Sequence, residues 1–134
     1  GAPQDVLLVL LSPLERSGTP RRAGEIQERL NEISFNAALI GELRAIAFVQ
    51  RLIDDGMLKE PMIKKYRRLN IHAIRGGQDL LGYDLSSKYD TRWRLLTELR
   101  DKGHAAADLW LKDCAKDVGT KTSSFDIRKE FLDP

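Results

Sequence analysis

The feature that most constrains this chain is an unbroken apolar run at residues 6–11, VLLVLL, which ends at Ser12 and Pro13. The run is too short to stand as an independent helix, although a helical segment has the same composition. A short strand that is apolar on both faces is typical of the interior of a parallel sheet. We therefore predict a strand that is buried in the middle of a sheet.

A long helix is predicted after a polar linker at residues 12–22. Thr19 and Pro20 are the residue types preferred at a helix start, so we predict Thr19 as the N-cap. Apolar residues at helical spacing continue to Asp55, and Gly56 is the expected stop. Two adjacent apolar stripes run along this helix: Ile26, Leu30, Ile33, Ala37 and Ile40, with Phe35, Leu39, Leu43, Ile46 and Ile53 beside them. Such a wide apolar face predicts a helix that is covered on most sides.

The second half of the chain begins with a loop or short turn at residues 57–65, interrupted by Pro61. Leu69, Ile71 and Ala73 alternate with polar residues, which predicts a second strand that ends at the glycines at 76 and 77. Residues 78–89 are a predicted loop with a short helical turn at residues 79–81.

Helices are predicted from Asp90 onward, with Asp90 as the cap and Gly103 dividing a first helix from a second that Gly119 closes. Their expected buried side chains are Trp93, Leu96, Leu99, Ala107, Trp110 and Leu111. The tail at residues 120–134 contains four apolar residues that are expected to hold it to the rest of the chain: Phe125, Ile127, Phe131 and Leu132.

This order of elements predicts a single α/β unit over residues 1–134, built as a βαβ-type unit with a long central helix and appended C-terminal helices. Two strands form a poor sheet, because their edges stay open and their faces need cover. The apolar strand and the wide apolar face of the helix exceed what these few elements can cover. We therefore expect the fold to be incomplete without upstream residues or a partner chain.

Composition excludes some classes of function. The net charge of +2 is too small for the concentrated basic face of a nucleic-acid-binding protein. The longest apolar run is far shorter than the roughly 20 residues of a membrane-spanning helix. The single cysteine, Cys114, cannot form an internal disulfide, which indicates a reducing, cytoplasmic compartment. We expect Cys114 to be a small buried or half-buried residue rather than a reactive thiol.

Few side chains stand out as candidates for chemistry. His72 lies on the predicted second strand, and we interpret it as a partly buried structural histidine rather than a general base. His104 follows Gly103 and is expected to be exposed. Neither histidine has a cysteine or a pair of carboxylates at ligand spacing, so no metal site and no cofactor is predicted.

Asn36 is a polar residue between the two apolar stripes of the long helix. A buried amide must be hydrogen-bonded, so we expect Asn36 to bond a nearby loop. It could also, like His72, support an active site through bonds to the residues around it. Three basic pairs, at residues 21–22, 64–65 and 67–68, are typical of a solvated surface. Their functional interpretation is a weak attraction to anionic lipid headgroups.

Several separated blocks of this chain resemble the C-terminal half of bacterial patatin-like phospholipases. They are residues 25–36 (EIQERLNEISFN), 42–46 (ELRAI), 68–72 (RLNIH), 86–90 (SSKYD) and 96–108 (LTELRDKGHAAAD), after a strand similar to residues 6–13. The blocks follow the family's order and span about residues 5–126.

The resemblance implies a three-layer α/β fold and a Ser-Asp dyad that cleaves lipid acyl esters. In the family the serine lies in a Gly-x-Ser-x-Gly elbow, and a glycine-rich loop forms the oxyanion hole. No serine of this chain lies in such an elbow, and neither Asp-Gly-Gly nor Asp-Gly-Ala occurs. Both catalytic residues of the family precede the matching region, so we assign no catalytic residue and expect the chain alone to be inactive.

The expected role is therefore that of the C-terminal structural part of a patatin-like lipid acyl hydrolase, which closes the sheet and shapes the acyl pocket. Its expected partners are an upstream catalytic portion or another subunit, a second copy in a homo-oligomer, and the lipid of a membrane surface. The alternative is a non-catalytic module that meets its apolar excess by self-association or by binding a partner chain.

Overall fold

The computed structural model describes residues 4–14, 16–76, 80, 83, 87, 89–123 and 126–132. In chain order its elements are strand β1 (Gln4–Leu10), helices α1 (Ala23–Asp54) and α2 (Met62–Lys65), strand β2 (Leu69–Arg75), and helices α3 (Trp93–Cys114) and α4 (Ile127–Phe131). A 3-10 turn at Ala115–Asp117 follows α3. The chain is a mixed α/β protein, as predicted. Most of the predicted loop at residues 78–89 and the side chain of Phe125 lie outside the described residues.

The two strands pair in parallel, from Gln4 opposite Leu69 to Leu10 opposite Arg75. Both strands were predicted within a few residues of their actual bounds. A parallel pair requires a long crossover connection, and α1 lies within it. The strands and α1 therefore form the predicted βαβ unit.

The hydrophobic core lies between one face of the sheet and two helices. Its buried side chains are Leu43 and Ala47 of α1, Ile71 and Ala73 of β2, and Ile127 and Phe131 of α4. Successive side chains of a strand point to opposite faces of the sheet. The face that carries Ile71 and Ala73 therefore packs on α1, and Asn70 and His72 project from the other face.

The start of α1 differs from the prediction by three residues. The N-cap is Arg22, in an extended conformation, and not Thr19. The Glu25 carboxylate accepts the backbone N–H groups of Arg21 and Arg22 at 3.0 and 3.2 Å. Glu25 thus supplies one half of a capping box, and the other half is missing because the Arg22 side chain has no acceptor for a helix N–H. At the other end the prediction is confirmed, because Gly56 adopts a positive φ of 65° just beyond the helix.

Helix α3 is continuous, so the expected division at Gly103 is wrong. A glycine inside a helix costs about 1 kcal/mol relative to alanine, and the good helix formers around it compensate for this cost. Trp110 is buried, as predicted, whereas Trp93 is 75% exposed and Leu96 and Leu111 are also exposed. Asp90 does not cap the helix; its carboxylate binds the backbone and guanidinium of Arg92.

The tail packs as expected through three of its apolar residues, with Leu132 partly buried against the core beside Ile127 and Phe131. Ile127 and Phe131 of α4 are buried against α1. The Arg44 guanidinium donates to the Phe131 carbonyl at 2.9 Å, and the Asp126 side chain caps α4. These contacts join the end of the chain to the middle of α1.

Strand β1 is not central in the sheet formed by the described residues, because its one neighbour there is β2. Leu7, Val9 and Leu11 are exposed on the face opposite α1, and Val9 is 62% exposed. We call these three side chains and the unpaired edge beside them the open β1 surface. Helix α1 is also less covered than predicted, with five exposed apolar residues: Ile26, Leu30, Ile33, Phe35 and Phe48.

Candidate functional site

The most highly organised polar group in the described residues surrounds His72, at the centre of β2. Its imidazole is 1% exposed and bonds through both ring nitrogens. Nδ1 lies 2.7 Å from Ser123 Oγ, and Nε2 lies 2.9 Å from Asp5 Oδ1. We call His72, Asp5, Ser123 and Asn70 the His72 cluster. Three parts of the chain, β1, β2 and the segment before α4, meet in it.

Asp5 reaches this cluster because the parallel register places it opposite Asn70. Asn70 lies two residues before His72, on the same face of β2. Its Oδ1 accepts three bonds, from His72, from the Gly119 N–H at 2.8 Å and from the Asn70 amide at 3.2 Å. The His72 bond and then the Gly119 bond lower the pKa of Asp5 below its ordinary 3.8, against the opposing effect of desolvation. Asp5 is therefore a carboxylate at neutral pH.

The charge on Asp5 defines the tautomer of His72. A carboxylate only accepts hydrogen bonds, so Nε2 must carry the proton that points to Asp5. In the neutral ring Nδ1 is then the acceptor, and the Ser123 hydroxyl donates to it. Both ring nitrogens of His72 therefore have hydrogen-bond partners. This is what allows a histidine to be buried with little loss of stability.

Ser123 and Thr122 also bond the outer edge of β2 at Ile71. Its backbone N–H donates to the Ile71 carbonyl at 3.2 Å, and the Ile71 N–H donates to Thr122 Oγ1 at 3.1 Å. These bonds satisfy backbone groups on the edge of β2 that faces away from β1. The two edges of the sheet therefore differ. Residues 122–123 bond the outer edge of β2, whereas the outer edge of β1 has no partner strand among the described residues.

Trp110 of α3 covers the imidazole from the side. The two rings meet edge to face, with centroids 5.9 Å apart and planes at 80°. Edge-to-face contact is a favoured arrangement for aromatic rings. It docks α3 on the face of the sheet opposite α1, so helices lie on both faces of the strands.

An aspartate, a histidine and a serine in line have the composition of a hydrolytic triad, but this geometry does not support nucleophilic catalysis. In serine hydrolases Nε2 faces the serine and Nδ1 faces the aspartate, which is the reverse of the arrangement here. His72 and Ser123 are both buried, with Ser123 only 6% exposed. The Ser123 N–H, which could have served an oxyanion, is used by Ile71. The cluster therefore acts as a structural clasp.

Asn36, the other predicted support residue, forms a separate contact. It is buried, and its amide donates to the Pro13 carbonyl at 2.8 Å. The expected bond from the long helix to a loop is confirmed. Asn36 belongs to α1, on one side of the sheet, whereas His72 projects from the other. The two residues are therefore not parts of one site.

The remaining candidates show no organised chemistry. His104 is exposed, as predicted, although it lies inside α3 rather than at a helix start, and Cys114 is half-buried. Among the residues that the structure describes, no three His, Cys, Asp or Glu side chains are grouped as metal ligands. No helix in the described part of the chain is long and apolar enough to cross a bilayer.

Sequence reasoning identified His72 but not Asp5 or Ser123. Asp5 carried a weak signal, as a charged residue at the start of an otherwise apolar strand. Ser123 carried none, since its position in a mixed tail has no periodic pattern. No family model, curated protein or solved structure matches this chain.

Proposed function

We propose that this chain is the C-terminal structural part of a patatin-like serine lipid acyl hydrolase. The nucleophilic serine and the catalytic aspartate come from upstream sequence or from another subunit. This chain completes the sheet and supports the acyl pocket but performs no chemistry itself. In this proposal the protein works in the cytoplasm or at the surface of a membrane.

The observation that carries the proposal is the open β1 surface. β1 has apolar side chains on both faces, yet Leu7, Val9 and Leu11 are exposed and one edge is unpaired in the described chain. An apolar, unpaired edge strand is a template for further strands. Upstream strands of the same sheet would cover it and give β1 the central position that its sequence predicts.

Two further features support this assignment. The blocks that resemble patatin-like phospholipases include residues 25–36 of α1 and residues 68–72, which cover Arg68 and the first half of β2; α1 and β2 both belong to the βαβ unit. The His72 cluster offers no accessible nucleophile, in keeping with a supporting role. In the assembled enzyme His72 and Asn36 would hold the elements behind the active site in place.

The test compares this chain with a longer protein that contains the upstream region, using p-nitrophenyl esters as substrates. We expect turnover by the longer protein, and its loss after treatment with a serine-directed phosphonate inhibitor. The 134-residue chain should show no turnover above buffer. Inhibitor-sensitive turnover by the chain alone would overturn the proposal, and so would the lack of a Gly-x-Ser-x-Gly elbow both in the upstream reading frame and in any partner subunit.

The second candidate is a non-catalytic module that associates with itself or with a partner chain. The specific observation in its favour is the exposed stripe of Ile26, Leu30 and Ile33 on α1, at the spacing of one helix face. Sedimentation analysis separates the two candidates. A stable dimer without esterase activity in any longer form favours the module, whereas a monomer counts against it.

A further inference from the structure

A cleft of about 340 Å³ lies beside the last turn of α1, the residue before β2 and the segment that enters α4. Six ionisable side chains line it: Arg51, Asp54, Arg68, Lys121, Asp126 and Arg128. Four cations and two carboxylates line the cleft. Two of the cations also have carboxylate partners beyond the lining, Arg51 with Asp55 and Lys121 with Asp117, both at 3.6 Å.

The two carboxylates already accept bonds from within the chain. Asp54 accepts from Arg68 at 2.6 Å, and Asp126 accepts the backbone N–H groups of Arg128 and Lys129 at 3.0 and 3.2 Å. A guanidinium carries several N–H donors in a planar fork, and the Arg68 contact with Asp54 uses one terminal nitrogen. Thr122 Oγ1 also lines the cleft and accepts from Ile71, which leaves its hydroxyl hydrogen to donate.

The position of the cleft separates it from the place where a substrate would bind. In open α/β sheets ligands bind beyond the carboxyl ends of the parallel strands. Arg68 immediately precedes Leu69, so the cleft lies at the amino end of β2. An anion in this cleft would occupy a second site and not the acyl pocket.

We propose that this cleft binds a phosphate-bearing anion, with Arg68 and Lys121 as direct ligands. The oxygens of a phosphate suit the donors of arginine and lysine, and a phosphate dianion carries twice the charge of the single carboxylates with which Arg68 and Lys121 are paired. The same chemistry is presented by the headgroup of an acidic phospholipid and by a soluble phosphate ester. The site rests on this chain alone and does not depend on the proposed hydrolase role.

The test is an NMR titration of the whole chain with inorganic phosphate at low ionic strength, against sodium chloride at equal ionic strength. Amide shifts are expected at Gln50, Thr122 and Ile127, which line the cleft. The double variant Arg68→Gln/Lys121→Gln should weaken phosphate binding about tenfold or more, since each loses a charge-assisted contact. Lys64→Gln/Lys65→Gln removes the same charge from exposed α2 and should bind phosphate almost as the wild type does.

Both double variants remove two positive charges; the cleft variant breaks the ion pairs of Arg68 with Asp54 and of Lys121 with Asp117, and the α2 variant breaks that of Lys64 with Glu60. Circular dichroism checks that they fold. If the cleft variant does not, Lys121→Gln alone replaces it, because this side chain is 70% exposed.

Flotation with phosphatidylcholine vesicles, with and without phosphatidic acid, distinguishes the two sources of phosphate. Binding to acidic vesicles that the cleft variant loses identifies a lipid headgroup, and binding to inorganic phosphate alone identifies a soluble ligand. The proposal is overturned if neither binds, or if the cleft and α2 variants lose affinity equally.

Discussion

His72 Nδ1 lies 2.7 Å from Ser123 Oγ, which joins the centre of β2 to a residue 51 positions later in the chain. The bond belongs to a line that continues through the imidazole to Asp5 at the start of β1. Together with the backbone bonds of Ile71, it holds residues 122–123 along the edge of β2. The tail is thus attached to the sheet by polar contacts on one side and by the apolar side chains of α4 on the other.

Removal of the Ser123 hydroxyl should destabilise the fold by about 1–3 kcal/mol, because Ser123→Ala leaves Nδ1 of a buried imidazole without its partner. Urea unfolding measures this free energy. Ser34→Ala, at an exposed position of α1, is the matched control and should change stability by less than about 0.5 kcal/mol. Equal stability of the two variants would contradict the clasp.

Asp5 should make stability depend on acid. Its pKa is lowered in the folded state, so its contribution is complete above the ordinary pKa of 3.8 and is lost as the pH falls through the lower folded value. Asp5→Asn removes this contribution, and the stability gap to wild type should be widest at neutral pH and should shrink progressively as the pH falls below 3.8. Unfolding in urea at several pH values measures the gap.

The control for acid dependence is Asp108→Asn, which removes the same charge from an exposed position on α3. This variant should lose stability in acid as the wild type does. A gap between wild type and Asp5→Asn that stays constant over the same pH range would show that the Asp5 carboxylate does not form its folded-state bonds.

The two tryptophans should differ sharply in their importance. Trp110 is buried against His72, so Trp110→Ala should cost about 3–5 kcal/mol through lost packing. Trp93→Ala, at the exposed start of the same helix, should cost less than about 0.5 kcal/mol. Thermal unfolding followed by circular dichroism compares the two variants. Similar melting temperatures would mean that α3 does not dock on the sheet through Trp110.

The bond from Asn36 to Pro13 should contribute to the position of α1. Asn36→Ala removes the buried amide that donates to the Pro13 carbonyl. We expect the free energy of unfolding to fall by about 1–2 kcal/mol. Asn31→Ala, on the exposed face of α1, is the control and should be close to neutral. The prediction fails if both variants unfold at the same urea concentration.

A charged substitution on the open β1 surface tests whether upstream strands cover it. Val9 is 62% exposed, so Val9→Lys should change the stability of this chain by less than about 0.5 kcal/mol. In a longer protein whose upstream strands cover Val9, the same change should cost several times more, because the ammonium group is then buried. Leu109→Lys, at a residue 63% exposed on α3, should have a small effect in both proteins. The measurement is the melting temperature of Val9→Lys and Leu109→Lys, each made in this chain and in the longer protein.

Local sequence patterns predicted that β1, α1 and β2 exist and approximately where they lie. These predictions use only residues that are close in sequence: the apolar spacing of α1, the alternation in β2 and the stop at Gly56. The need of Asn36 for a partner also followed from its residue type and its place between apolar stripes. The division of α3 at Gly103 was wrong, since the cost of one glycine is smaller than the gain from continuing a long helix.

What the sequence determined by itself was a βαβ unit with more apolar surface than its own elements cover. The tertiary structure alone decided that Asp5 and Ser123 meet on His72, across separations of 67 and 51 residues. It also decided which sheet edge is capped and which is open. The physical reason is that periodicity describes the environment of one element, whereas these contacts depend on the register of β1 against β2 and on where the tail docks.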